Sequence, residues 1–197
     1  PDNDGNYFEV NSADVISNSW GSSTHGSYTE DSKEVDRVVK GNLGRPVPVI
    51  FAAGNEHPTF GVTSIASAKN AITVGASGDF KNSTNTCQHG FTSAPSDLNV
   101  MSYSSRQTND GRVKPDILAP GSDITSSVIN NTYNSWDGTS MAVPHVSAVV
   151  AQLLKHDSNL TPSAVKAFLL GGTMNGSRTN NYPNNLDYNQ GWGRLDA

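Results

Sequence analysis

Short apolar runs alternate along the chain with longer stretches of helical period. ADVISNSW (13–20) sets a brief apolar run ahead of polar residues and reads as a strand entering a loop. In TEDSKEVDRVVKGNLG, Val35, Val38, Val39 and Leu43 recur at helical spacing, acids crowd the start, and Gly41 offers a stop. RPVPVIFAAGN (45–55) predicts a second, buried strand whose prolines sit near its beginning, where they harm the ladder least. NAITVGA (70–76) predicts a third. Residues 77–99 are polar, turn-rich and without period, which predicts a surface excursion. DGRVKPDILAPG (110–121) reads as turn, short strand, turn, and SMAVPHVSAVVAQLLKH (140–156) as an almost wholly apolar helix. LTPSAVKAFLLGG (160–172) predicts another helix, with Thr161 as N-cap, Pro162 at the first helical position and Gly171 as the stop.

Apolar strands alternating with helices predict an α/β fold in which helices cover both faces of a parallel sheet. At 197 residues, without repeats or a dividing linker, the chain is expected to form one unit. Its 18 glycines, 10 prolines and 16% charged residues suit a loop-rich globular protein rather than a disordered tail or a coiled coil. The net charge of −5, without a Lys/Arg cluster, argues against nucleic acid and anionic membranes as partners. No apolar run approaches the length of a membrane span. A single cysteine, Cys87, excludes an internal disulfide framework and an all-Cys zinc site. Low lysine and abundant Asn, Ser and Thr lean toward a secreted or cell-surface protein. The first residue, Pro1, and the closing GWGRLDA both suggest a chain cut from something larger.

The stretch DGTSMAVPH (137–145) carries the candidate chemistry. Gly138 gives room for a close approach, and Ser140 falls at the mouth of the apolar helix, where unpaired N–H groups and the dipole favour developing negative charge. Pro144 is placed in the first turn, where its absent N–H would have no intrahelical partner to lose. Helix chemistry alone leaves Ser140 either a cap or a nucleophile.

The wider pattern bears on that choice. GTSMAVPH closely resembles the serine signature of the subtilisin-like proteases, and VISNSWG, VIFAAGNE, AITVGA, KPDILAPG and GWGRLDA resemble further blocks of that family in the family's order, over roughly 13–197. The resemblance implies a subtilisin-like α/β domain, with 1–197 forming the C-terminal two-thirds of one catalytic domain and lacking its first strands and helices. It implies Ser140 as the nucleophile and Asn55 as the side-chain oxyanion donor, beside the backbone N–H of Ser140. It also implies Ser19, Trp20 and Gly21, with Ala52, Ala53 and Gly54, as walls of the primary specificity pocket for a polypeptide substrate. An extended substrate would pair with the edge near 19–21. Without the resemblance, Asn55 reads as a turn residue and Trp20 as core or pocket wall.

A nucleophilic serine needs a base and an acid to orient it. The family's Asp-Ser/Thr-Gly and His-Gly-Thr blocks are absent here, and only 139 residues precede Ser140, so both groups are expected upstream of residue 1, in a missing N-terminal segment that acts as partner. HGSYTE at His25 mimics the histidine block but follows the Ser-x-Gly block instead of preceding it. His145 shares the serine's helix and is expected to pack; His57 follows the oxyanion strand; His89 and His156 read as surface residues. Asp116, in KPD, reads as satisfying a turn. Without its first segment the sheet is expected to expose an edge and an apolar face.

The resemblance implies no redox or organic cofactor; calcium is common in the family, but no ligands for it are identifiable. DNDG (2–5) lacks the acidic partner of a calcium loop and reads as a turn. Asn82, Asn130, Asn159 and Asn175 fit the glycosylation pattern, as expected by chance in so Asn/Ser/Thr-rich a chain. The alternative to a serine endopeptidase is a catalytically inactive, subtilase-like domain that binds peptides or a partner. A third reading has this chain assembling with a separately encoded N-terminal half.

Overall fold

The computed structural model describes residues 13–78, 100–173 and 188–196. Cys87, His89, Asn82, Asn175, DNDG at 2–5 and nearly all of the 77–99 excursion lie outside them. Four parallel strands follow one another across a single sheet: β1 (Ile16–Asn18), β2 (Val49–Ala52), β3 (Ile72–Ser77) and β4 (Ile117–Pro120). Their register sets Ile16 against Val49, Ile50 against Ile72 and Val74 against Ile117. Beyond β4, Arg194 adds a parallel bridge to Leu118, so the closing segment docks on the sheet at that residue.

Period 2 within β2 makes the two layers. Val49 and Phe51 face helix α1 (Glu30–Lys40), where Val35, Val38 and Val39 complete the packing. Ile50 and Ala52 face the other way, into a core shared with Ile72, Val74 and Ile117 and with helices α2 (Thr139–His156) and α3 (Pro162–Gly171). A strand buried on both faces has no polar side to show, which is why VIFA reads as a continuous apolar run. Each such side chain withdrawn from water contributes about 1.5–3 kcal/mol before entropy is charged against it. The expected α/β architecture, a parallel sheet flanked by helices, is what the structure has.

Helix limits follow local chemistry. Thr29 and Ser32 close a capping box on α1, and Gly41, with φ +78°, ends it in the left-handed region. Thr161 Oγ1 accepts the Ala164 N–H at 3.2 Å and Pro162 opens α3, as the sequence predicts. Three expectations need correction. Leu43 lies past the Gly41 stop and is exposed, so it does not continue the α1 stripe. Helix α3 runs through Gly171 and stops at Gly172, where the backbone is not left-handed (φ −94°). Pro144 lies past the first turn of α2, not within it.

One element is absent from the sequence reading altogether: an antiparallel hairpin of β5 (Ile124–Val128) and β6 (Thr132–Trp136). Its three-residue tip, Ile129–Asn131, closes the pair Val128–Thr132 and holds Asn130 and Asn131 at positive φ (62° and 55°), a backbone that asparagine tolerates. An Asn-Asn pair between two β-branched and aromatic runs was the available signal. β1 is an edge strand of the described sheet, and Ser17 on it is exposed.

Candidate active site

Chain turns leaving the C-terminal ends of the strands converge at the start of α2, the usual place for a site in a parallel sheet. Ser19–Gly21 follow β1, Ala53–Asn55 follow β2, and Gly121 follows β4. Gly121 accepts the Gly138 N–H at 2.8 Å; a Cβ on Gly121 would stand 2.8 Å from the Gly138 oxygen, so the approach is open only to glycine. Gly138 itself, at φ +153°, is the N-cap from which α2 begins.

Ser140 is therefore the second residue of α2, and Pro144 the sixth. The amide missing from Pro144 would have bonded the Ser140 carbonyl, so the expectation that it loses no partner is wrong. Ser19 supplies the replacement: its hydroxyl donates to the Ser140 carbonyl at 2.8 Å. In return the Ser140 hydroxyl donates to the Ser19 carbonyl at 3.1 Å. This reciprocal pair ties the loop after β1 to the first turn of α2. It also brings two of the predicted site residues, 121 positions apart, into direct contact.

Asn55 is held as firmly. Its Oδ1 accepts from the Thr139 backbone N–H (2.9 Å) and the Thr139 hydroxyl (3.0 Å). A backbone N–H can only donate, so it fixes which end of the amide faces Thr139 and leaves Nδ2 on the other side. The Thr139 hydroxyl in turn accepts the Gly54 N–H at 3.3 Å. The Nδ2 atom and the Ser140 nitrogen stand 3.6 and 3.7 Å from the one point where a side chain on Gly138 would begin. Glycine at 138 thus keeps clear a space that two N–H donors share. Thr139, missed by the sequence reading, is the residue that organises it.

The other predicted residues divide by what they present. Ala52 and Ala53 bury their side chains in opposite cores, so only their backbone can border a cleft. The Trp20 indole donates to Asn18 Oδ1 at 3.1 Å and meets the Phe51 ring edge-on with centroids 5.4 Å apart. It remains 48% exposed, neither plain core nor enclosed.

Three of the four described histidines have other engagements, and the fourth lies far along α2. His25 stacks on Phe60 with ring centroids 4.6 Å apart, and His57 Nδ1 lies 3.0 Å from the Ser102 carbonyl. His145 Nδ1 lies 3.0 Å from the Met141 carbonyl, one helical turn back. It lines a groove of about 450 Å³ between α2 and the hairpin with Ser140, Met141, Pro144, Ile124 and Trp136. His156 ends α2, sixteen residues and about 24 Å along the helix from Ser140.

At the opposite end of the sheet, Asp116 proves to be more than a turn residue. Its carboxylate accepts the Thr73 N–H (2.8 Å) and pairs with Lys114 (2.7 Å) and with Lys166 of α3 (2.9 Å). Burial opposes its charge, but the two lysines outweigh burial and hold Asp116 below the usual carboxylate range. Burial also dominates at Lys114, bringing its ammonium down to about 8 despite Asp116. This cluster fastens α3 beneath β3 and β4 and is remote from Ser140 in the fold.

Comparison with known proteins bears on the whole chain. Residues 4–193 match the profile of the subtilase family. The chain is 32% identical over 176 residues to the serine protease AprX of Bacillus subtilis (strain 168), covering 81% of this chain and 38% of AprX. Bacillopeptidase F of the same organism is 30% identical over 202 aligned residues, covering 100% of this chain and 13% of that protein. Among solved structures, sphericase superposes with a TM-score of 0.67 at 27% identity, covering 92% of this chain and 56% of its own. The patellamide maturation protease PatA gives 0.69 at 23% identity over 93% of this chain and 60% of its own, a likeness of fold alone. The chain thus spans well under half the length of either curated relative. No helix among the described residues is long and apolar enough to cross a membrane.

Proposed function

The chain belongs to the subtilase family, and from that premise we propose that it supplies the nucleophile, oxyanion donors and acyl-side walls of a serine endopeptidase. The histidine and aspartate that complete the reaction belong to polypeptide upstream of residue 1, so residues 1–197 are one part of a catalytic domain. The observation that carries this reading is that Asn55 Nδ2 and the Ser140 nitrogen flank the one space that Gly138 keeps clear at the start of α2.

In the proposed reaction the substrate lies extended against residues 19–21. Ser140 Oγ leaves the Ser19 carbonyl and attacks the scissile carbonyl carbon, and its proton passes to the upstream imidazole. The carbonyl π electrons move to oxygen, where Asn55 Nδ2–H and Ser140 N–H donate to the developing charge. Collapse breaks the C–N bond; the imidazolium gives its proton to the departing amine, leaving an acyl ester on Ser140. Water, deprotonated by the same imidazole, then releases the acid and restores the hydroxyl. Because Thr139 fixes Asn55 beforehand, the donors need no rearrangement when charge appears, and that preorganisation is where such sites derive much of their rate. The reaction requires no redox or organic cofactor. Export to the medium or cell surface belongs to the same reading and rests on composition.

One observation favours a second reading, an inactive peptide-binding domain: the described partner of the Ser140 hydroxyl is a carbonyl, which cannot take a proton. A fluorophosphonate separates the cases. Stoichiometric labelling of Ser140 in residues 1–197 alone would put the base inside this chain and refute an upstream one. Labelling and peptide hydrolysis only when the upstream polypeptide is present is the expected result. Absence of both from the longer protein, with peptide binding unchanged by Ser140→Ala, would establish the binding domain instead.

A further inference from the structure

The family resemblance raises calcium, and the cluster around Asp116 is the place to test whether this chain has room for it. There, five oxygen atoms face two ammonium groups. Lys114 Nζ donates to Asp116 Oδ2 at 2.7 Å, to Thr73 Oγ1 at 2.9 Å and to the Ala71 carbonyl at 3.2 Å. Lys166 Nζ donates to the Ala71 carbonyl at 2.8 Å and to the Lys69 carbonyl at 3.3 Å, and pairs with Asp116 Oδ1 at 2.9 Å. Carboxylate, hydroxyl and backbone carbonyls are the donors that hard cations take.

The backbone is turned toward this centre from outside. The Asn70 N–H donates to Asp36 of α1 at 2.7 Å. In a trans peptide the N–H and the carbonyl of the preceding residue point in opposite directions, so that bond sends the Lys69 carbonyl toward Lys166. One peptide plane thus joins α1 to α3. The Thr73 hydroxyl donates to the Ala66 carbonyl at 2.6 Å, which leaves its lone pairs for Lys114.

This donor set does not fit calcium. Its contacts span 2.7–3.3 Å, the lengths of hydrogen bonds, whereas calcium draws oxygens to about 2.3–2.6 Å. Two ammonium groups face one carboxylate, so the centre already carries surplus positive charge. Lys40 and Lys69 join Lys166 along the adjoining groove of about 500 Å³. A divalent ion approaching that way meets like charge and finds the oxygens engaged. The side chains are sheltered as well, with exposures of 3% for Lys114, 10% for Asp116 and 18% for Lys166.

We infer that this oxygen cage carries its own cation: the Lys166 ammonium, beside that of Lys114, stands where a metal ion would otherwise join α3 to the sheet, and the join needs no calcium. The inference is independent of the peptidase reading. Lys166 is the replaceable part, because it reaches in from α3 and lines the groove. The ligand able to take its place is a primary alkylammonium ion, which keeps both the charge and the N–H donors.

Hydrogen exchange read by mass spectrometry on the full-length protein tests this in two arms. In the wild type, replacing chelator with calcium should leave the protection of 69–73 and α3 unchanged relative to β2. Calcium-dependent protection confined to those peptides overturns the inference. In Lys166→Ala the same peptides should lose protection at least about tenfold, since a buried carboxylate has lost a partner. Propylammonium should restore most of that loss. Tetramethylammonium, which has the charge but no N–H, should restore none at equal ionic strength. Equal rescue by both ions, or rescue by neither in a natively folded variant, overturns the role of Lys166. Lys166→Met covers the case in which the alanine variant does not fold, because it keeps the apolar stem. It should lose protection to the same extent, and full protection there overturns the inference equally.

Discussion

Ser19 and Pro144 act on one atom, the Ser140 carbonyl oxygen, and a double-mutant cycle can measure that. In a regular helix the amide of residue 144 would bond the carbonyl of residue 140; proline removes it, and the Ser19 hydroxyl bonds that carbonyl at 2.8 Å instead. Ser19→Ala in the native chain should cost about 1 kcal/mol, the net worth of one hydrogen bond, toward the low end because the pair is partly reached by water. Pro144→Ala restores the amide and should stabilise by about 1–2 kcal/mol, less than the ~3 kcal/mol propensity gap because it also frees the unfolded chain. With alanine at 144 the carbonyl has its helical donor, so Ser19→Ala should cost almost nothing there. The coupling is then about 1 kcal/mol, against ~0.3–0.5 kcal/mol for independent sites. Urea unfolding of the four chains, followed by far-UV circular dichroism, reads it directly. Equal cost of Ser19→Ala in both backgrounds would refute the compensation, as would a destabilising Pro144→Ala.

Other consequences can be checked alongside. Thr139→Val deletes the hydroxyl that joins Asn55 Oδ1 to the Gly54 amide and leaves the Thr139 backbone N–H in place. Turnover by the longer protein should fall about tenfold with little change in KM, short of the roughly 10²–10³ expected for Asn55→Ala; a loss confined to KM would contradict the orienting role. Gly138→Ala forces a side chain into strained backbone at φ +153° and into the space shared by the two donors, so labelling at Ser140 should drop further than in Thr139→Val. Lys114→Met strips one partner from buried Asp116 and should lower stability by about 3 kcal/mol in chemical denaturation. Because Lys114 sits near 8 when folded and near its ordinary value when unfolded, the unfolded chain holds the extra proton between them. Stability should therefore rise with pH above about 8, by at most ~1.4 kcal/mol per pH unit, until about 10. There Tyr28, pushed up to about 12 by burial and by its hydrogen bond to Asp36, begins to reverse the trend. Lys114→Met should flatten the rise, and a stability that falls across pH 8–10 would contradict it.

The sequence by itself determined what local chemistry controls. The four strands of the sheet, α1 with its Gly41 stop, α3 with its Thr161 cap, and Ser140 at the head of α2 all follow from period, capping and turn residues within a few positions of one another. The order of blocks was likewise enough to place the chain in its family and to nominate Ser140 and Asn55. The hairpin escaped because its three-residue tip, Ile-Asn-Asn, carries no glycine and gives a weak local signal. Only the tertiary structure decided the rest. Pro144 is tolerated because of Ser19, 125 residues away along the chain by numbering; Asn55 is oriented by Thr139, and Asp116 is anchored by Lys166. A strand or a cap is chosen by neighbours in sequence, whose geometry is fixed by the chain. A hydrogen-bond partner or an ion pair is chosen by whichever atom the packed sheet brings within reach, and no pattern along the chain records that distance.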